Sequence, residues 1–326
     1  MKKCIFISLI LPFLLFNCEY FTLLSYSEWK DKTGNNDVDI YIASYFTTSP
    51  TKACYWKNNK LIDDLQDSEN AQTNLIFIDG NDIYIGGKSN GKPCYWKNKR
   101  IYYLEGDASD SPGTQSIMVR SGVIYTAGFI NNQIGSSNAC YWVNTKKYNI
   151  FDPSKASTSL ANSIYVDEYF NIYIAGRDED NGQGFYWNSI NQTISYLENN
   201  SYAYSICVKN DKVYIAGRSS SNYACYWIDK PPAIVSTQTG QCVSIFVSDN
   251  DIYSASNGIY YFKNLIATAL PGASQTFSLT KYENDLYIVG RSSSSLPCYW
   301  KNSGEAIVLS SSVGEATGIA VKHRIK

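Results

Sequence analysis

Short apolar runs alternate with polar gaps along this chain, and one pair of runs keeps returning. A phrase like Ile172-Tyr173-Ile174-Ala175-Gly176-Arg177 is followed, after a polar stretch, by one like Ala53-Cys54-Tyr55-Trp56-Lys57-Asn58. Seven copies lie between residues 37 and 302. The tyrosine of the first phrase falls at Tyr41, Tyr84, Tyr125, Tyr173, Tyr214, Tyr253 and Tyr287, with spacings of 34 to 48 residues. A period of about 40 residues with several short strands per unit predicts a propeller blade, not a helical solenoid. The fourth unit shows four such strands, at 163–167, 171–175, 184–188 and 193–197. They are rich in Ile, Val, Tyr and Trp, which suit a pleated surface. Asn, Asp, Gly and Ser fill the turns between strands. No helical period is sustained after the first residues, so no substantial helix is expected.

The first strand of each unit carries a second marker. Segments at 74–78, 116–120, 163–167, 205–209, 244–248 and 277–281 precede six of the tyrosines, and Ser116, Ser163, Ser205 and Ser244 sit nine or ten residues before theirs. Ahead of Tyr41 that offset meets only a polar run at 30–36. An orphan first strand stands instead at 316–322. The expected fold is therefore all-β: a seven-bladed propeller of four-stranded antiparallel blades, with the C-terminal strand completing the first blade. Closure of this kind removes exposed sheet edges.

Residues 1–17 read as a signal peptide, 18–36 as a tether and 37–326 as the propeller. Lys2-Lys3 precedes an apolar run from Ile5 to Phe16, too short to span a bilayer and of the length of a signal core. The following Asn17-Cys18 resembles a bacterial lipobox, in which Cys18 would be lipidated and anchor the chain to a membrane. Asn17 departs from the small residue usual there, although the boxes of spirochaete lipoproteins are looser. An ordinary secretory signal with an incidental cysteine is the alternative. The expected location is a bacterial cell envelope, outside the cytoplasm.

Formal net charge is -1, so there is no basic excess to neutralise phosphates and nucleic acid is not an expected partner. Nine cysteines in an exported chain suggest disulfides. However, Cys54, Cys94, Cys140, Cys225 and Cys298 all occupy one repeat position, taken by Phe185 and Tyr260 in the other two units. A site that accepts Cys, Phe or Tyr is an apolar packing site, so these five are expected to be free buried thiols. Cys207 and Cys242 are the one plausible pair.

Candidate chemistry is sparse. His323 is the only histidine and no C-x-x-C occurs, so neither a metal site nor a Ser-His-Asp triad is expected. Gly87-Lys88-Ser89 imitates a phosphate loop but has Asp82 where glycine is needed. No cofactor is implied. The acids at Asp63-Asp64, Asp107, Asp110 and 178–180 read as solvated turn residues rather than a glycosidase pair. Four cations, Lys88, Arg177, Arg218 and Arg291, share the position four after the tyrosine, where the other units carry Tyr45, Phe129 and Asn257. They would form part of a ring at the rim where the loops between second and third strands emerge. Guanidinium forks there suit an anionic group or a glycan carboxylate. The simpler reading, a strand-end residue that meets solvent or a neighbouring acid, carries more weight. Tyr45, Phe46, Phe129 and Tyr223 are the aromatic rings expected in those loops, with packing beneath the loop as their alternative role.

The Ala-Cys-Tyr-Trp-Lys-Asn phrase followed by a leucine-ended strand resembles the HAF-type extracellular repeat and the repeat lipoproteins of spirochaetes. The resemblance covers residues 37–310, lacks the Gly-His and Trp-Asp marks of WD repeats and the paired glycines of kelch, and implies an exported propeller. It carries over no catalytic residue. The function expected is that of a monomeric, membrane-anchored scaffold binding a protein or glycan on its rim. The rivals are an envelope assembly subunit and, with less weight, a polysaccharide lyase or hydrolase.

Overall fold

A computed structural model describes residues 38–106, 113–131, 136–152, 158–229 and 232–324, with the backbone path alone for 232–239. The leader 1–17, the tether 18–36, Cys18, Asp107 and Asp110 lie outside the described residues. The ring is the unit Asp39–Lys322. Of the remaining described residues, Arg324 donates to the Val38 carbonyl at 3.1 Å.

Seven four-stranded antiparallel sheets make the ring. The fourth is typical: Ser159–Val166, Ile172–Asp178, Gln183–Asn188 and Ile194–Asn199, in that order outward from the axis. In the first sheet the innermost strand is Gly314–His323, which lies beside Val38–Phe46. The expected closure is what the chain forms. Seven apolar clusters fill the seven gaps between blades. The closing gap packs Ile42, Trp56, Ala316 and Ile319 against Tyr287, Val289 and Tyr299 of the last blade. Among the described residues no helix is long and apolar enough to cross a membrane.

The Lys-Asn that ends the repeated phrase has a structural partner. In four blades an aspartate two residues before the tyrosine accepts from that lysine: Lys57–Asp39 at 3.1 Å, Lys97–Asp82 at 2.8 Å, Lys263–Asp251 at 2.8 Å and Lys301–Asp285 at 2.7 Å. The same aspartates accept from Asn58, Asn98, Asn264 and Asn302 at 2.6–2.8 Å. Each asparagine takes a left-handed φ of 48–52°, which Asn tolerates better than most residues. Its side-chain oxygen accepts the backbone N–H that follows the aspartate. The other three blades lack the ion pair: the positions of the acid and the lysine hold Val123 and Val143, Asn171 and Asn188, and Lys212 and Ile228. Acid and lysine are kept or lost together.

All seven described cysteines are free, including Cys207 and Cys242, so the one plausible pair does not form. Cys54, Cys94, Cys140, Cys225 and Cys298 are buried between blades, as the repeat alignment predicts.

Candidate functional site

Six of the seven inner strands carry an irregularity near their start. In blades two to six the register against the second strand shifts across Asn74, Gln115, Asn162, Tyr204 and Val243, and in blade seven it does so across Phe277. A bulge re-aims the extra side chain. All six bulged residues line one cavity of about 280 Å³, joined by Glu315 and Thr317 of the closing strand and by Tyr45. Every blade contributes to it. The glycine of the Ala-Gly-Arg phrase belongs to this device, because a Cβ on Gly217 or Gly290 would overlap the carbonyl oxygen of Tyr202 or Gln275 just ahead of the bulge.

The serine after the bulge ties blade to blade. Ser116, Ser163, Ser205 and Ser244 accept the backbone N–H of Ile164, Ile206, Ile245 and Leu279 in the next blade, at 3.2–3.3 Å. Asn74 and Asn162 donate in the same direction, to the carbonyls of Thr114 and Ala203 at 2.6 and 2.8 Å. Two of the bulged amides are thus held in place rather than free to turn.

Among the described residues Glu315 is the only charged group on the cavity wall, and its charge is met. It accepts from the Tyr45 hydroxyl at 2.8 Å and pairs with Arg291 at 3.3 Å. Arg291 also donates to Gln275 at 3.0 Å, whose amide reaches Asn257 at 2.5 Å. Burial, reinforced by Glu315, pushes the Tyr45 phenol up, and burial pushes Tyr204 up to about 12 against the pull of Arg218. Both phenols are therefore neutral near pH 7 and able to donate.

The other rim candidates lie elsewhere. Arg177 is buried, bonded to Glu179 at 2.7 Å and to the Ser201 carbonyl. Its guanidinium stacks 3.3 Å from the centre of the Tyr202 ring, and Arg218 stacks at 4.1 Å from that ring. Lys88 is half-buried opposite Gln72 and Pro93. Tyr45, Phe46, Phe129 and Tyr223 are not in loops. The hairpins stay paired beyond the expected ends, placing them opposite Ala53, Lys52, Ala139 and Thr239. Phe46 packs edge-on against Trp56 at 6.5 Å. Residues 44–46, 129–131 and 137–138 are therefore strand, and 132–135 lies outside the described residues. Of the eight candidates, Tyr45 reaches the cavity directly and Arg291 acts through Glu315. The sequence reading passed over the residue just before each marker serine, where Gln115, Asn162, Tyr204 and Val243 stand.

A larger cavity of about 670 Å³ opens at the opposite ends of the inner strands, bounded by Arg120, Tyr165, Asp167, Lys209 and Phe246 among others. It draws on only four blades. Its Asp167 is occupied by the backbone N–H groups of Tyr169 and Asn171, and its Arg120 by the Val166 carbonyl. No group of three or more potential metal ligands occurs among the described residues.

No protein-family model and no curated protein matches the chain. Solved structures resemble it at low identity. The extracellular domain of a one-component system from B. thetaiotaomicron matches at 10% identity and a TM-score of 0.49, over 81% of this chain and 45% of that one. The computationally designed Ika8 protein matches at 11% and 0.49, over 89% and 97%. A luciferin-regenerating enzyme matches at 14% and 0.45, over 68% and 84%. The chain spans less than half of the first of these. At such identities the likeness concerns the propeller fold alone.

Proposed function

We propose that the chain is a ligand-binding propeller that receives a hydroxyl-rich glycan in the axial cavity, and that acylation of Cys18 holds it at a bacterial envelope membrane. One observation carries the first part: all seven blades converge on a cavity walled by amides, hydroxyls and aromatic rings, with its single carboxylate already neutralised. Amides and hydroxyls both donate and accept, which suits sugar hydroxyls, while Phe277 and Tyr204 offer apolar faces. Ligand pockets span about 300–1,000 Å³, so this one takes one or two sugar rings. The test is a glycan array probed with residues 37–326, followed by Asn162→Ala and Phe277→Ala. Both variants should lose signal while staying folded, Asn162→Ala at a cost of about 1 kcal/mol because it also gives up its bond to the Ala203 carbonyl. An array on which no sugar binds, or variants that bind as before, overturns the reading. Labelling of the wild-type chain but not of Cys18→Ser with a fatty-acid probe tests the anchor.

The assembly reading keeps one observation of its own. Leu265 and Ile266 are 47% and 71% exposed at the start of the sixth blade's outer strand, and unprotected edges invite pairing. A self-associated wild type made monomeric by Ile266→Lys would favour it.

A further inference from the structure

The inner strands start at the axial cavity, so the turns from first to second strand and from third to fourth gather at the other end of the ring. Among the described residues the three most exposed large apolar side chains are Tyr169 at 73%, Ile266 at 71% and Ile190 at 65%. All three stand in or beside these turns.

The turn at Tyr169 is built to hold its rings out. The same turns of blades two, three, five, six and seven carry Gly80-Asn81, Ser121-Gly122, Asn210-Asp211, Asp249-Asn250 and Glu283-Asn284. Blade four places Tyr169-Phe170 there, and Phe170 takes a φ of 64°, which strains a bulky residue and would not strain glycine. Asp167 locks the tip. Its side chain accepts the N–H groups of Tyr169 and Asn171 at 2.9 and 2.8 Å, and its carbonyl accepts that of Phe170 at 3.1 Å. An ordered aromatic pair kept in water on a strained backbone points to a use outside the fold.

Charge at the same end says what meets it. The third-to-fourth turns of the first three blades, at 57–60, 97–100 and 144–147, contain seven basic residues and no acid. Asp39 and Asp82 neutralise Lys57 and Lys97, but Lys60, Arg100 and Lys146 are exposed and make no ion pair among the described residues. The chain also enters the ring at Asp39 and leaves it at Lys322 on this side. Asp39 accepts from Asn58 at 2.8 Å, and Lys322 donates to the Gly80 carbonyl at 2.7 Å. An anchor in the residues that precede Asp39 is therefore attached to this end. Aromatic and aliphatic tips with basic neighbours suit an anionic lipid surface, where rings sit at headgroup level and each lysine or arginine gains about 1 kcal/mol.

We propose that the end of the ring opposite the axial cavity is a docking face for an anionic phospholipid bilayer. Tyr169, Phe170 and Ile190 enter the headgroup layer, and the basic turns of the first three blades meet lipid phosphates. The contact goes beyond acylation of Cys18 and does not depend on it. It turns the axial cavity away from the bilayer, where a ligand can reach it.

The experiment mixes residues 37–326, which contain all seven blades and no anchor, with vesicles and reads the bound fraction by sedimentation. Equimolar phosphatidylglycerol and phosphatidylcholine should bind the ring at least about tenfold more tightly than phosphatidylcholine alone, a preference that shrinks as salt is added. Tyr169→Ser combined with Phe170→Gly should weaken binding to the mixed vesicles at least about tenfold. Ile190→Ser should weaken it too, and decides the matter if the turn variant fails to fold. Lys60→Gln with Lys146→Gln should lower the salt dependence. Val313→Ser removes an apolar group 51% exposed at the cavity end and should bind as the wild type does. No binding to the mixed vesicles, equal binding to both kinds, or a loss in Val313→Ser as large as that in the turn variants overturns the docking face. None of these results touches the labelling of Cys18 or the glycan array, which test the earlier reading separately.

Discussion

Ser44 donates its hydroxyl to the backbone carbonyl of Glu315 at 2.7 Å, across 271 positions of chain. Thr317 returns a bond to the Ala43 carbonyl at 3.3 Å. These contacts make the first blade a composite of both ends of the ring. Ile319, 6% exposed, packs against the last blade as the internal isoleucines pack against their neighbours. Ile319→Ala should therefore cost about 2–5 kcal/mol, as large-to-small core changes do, and match Ile76→Ala on the inner strand of an unbroken blade. Urea titration of both variants checks this. A cost for Ile319→Ala well below 1 kcal/mol would mean that the tail is not part of the core.

The aspartate clamps predict a hierarchy. Lys301 and Asp285 are 39% and 16% exposed, so their ion pair should contribute only about 0.2–1 kcal/mol in a double-mutant cycle. Asn302 bonds both to Asp285 and to the Leu286 N–H while holding φ at 51°. Asn302→Ala should cost more, about 1–2 kcal/mol, because it strands a backbone donor and strains the turn. If Lys301→Met proves the more damaging variant in thermal melts, the turn is not what the clamp protects.

The architecture was legible from the repeat, since tyrosine and tryptophan positions fix seven blades and the absent strand before Tyr41 fixes the closure. The details near the axis were not. The inner strand of blade four begins at Ser159, four residues before the marker Ser163, because the bulge at Asn162 breaks the two-residue alternation that defines a strand in sequence. The partners of Asn58 and Arg177 were hidden for another reason: Asp39 and Ser201 meet them only through pairing across the sheet or from the next blade. Charges on a common repeat position looked equivalent, whereas Glu179 and Glu315 distinguish Arg177 and Arg291 from Arg218.

Burial gives the fold an alkaline limit. The thiols of Cys54, Cys207, Cys242 and Cys298 are pushed up from 9.0 to about 12. The unfolded chain releases these protons near pH 9, while the folded chain keeps them until about 12. Stability should be at its plateau below pH 9 and fall continuously from there towards 12. Replacing Cys298 with Ala should make that fall shallower, as read from urea midpoints at successive pH values. An unchanged slope would show that the thiol does not contribute. At pH 8 the six buried cysteines, Cys54, Cys94, Cys140, Cys225, Cys242 and Cys298, should react with iodoacetamide only as fast as the structure opens.

Tyr202 lies between two guanidinium groups, and each stacked pair should contribute about 0.5–2 kcal/mol. Tyr202→Leu keeps apolar bulk and removes both stacks, so it should destabilise the protein by more than Arg218→Met, which removes one. Equal losses in the two variants would place the ring's value in simple burial.

The strand that seals the first blade, Gly314–His323, is the last of the described strands to leave the ribosome. Until it arrives, Val38–Phe46 has no inner neighbour and the circle stays open. Premature locking of the ring is thus forbidden by connectivity rather than by a chaperone.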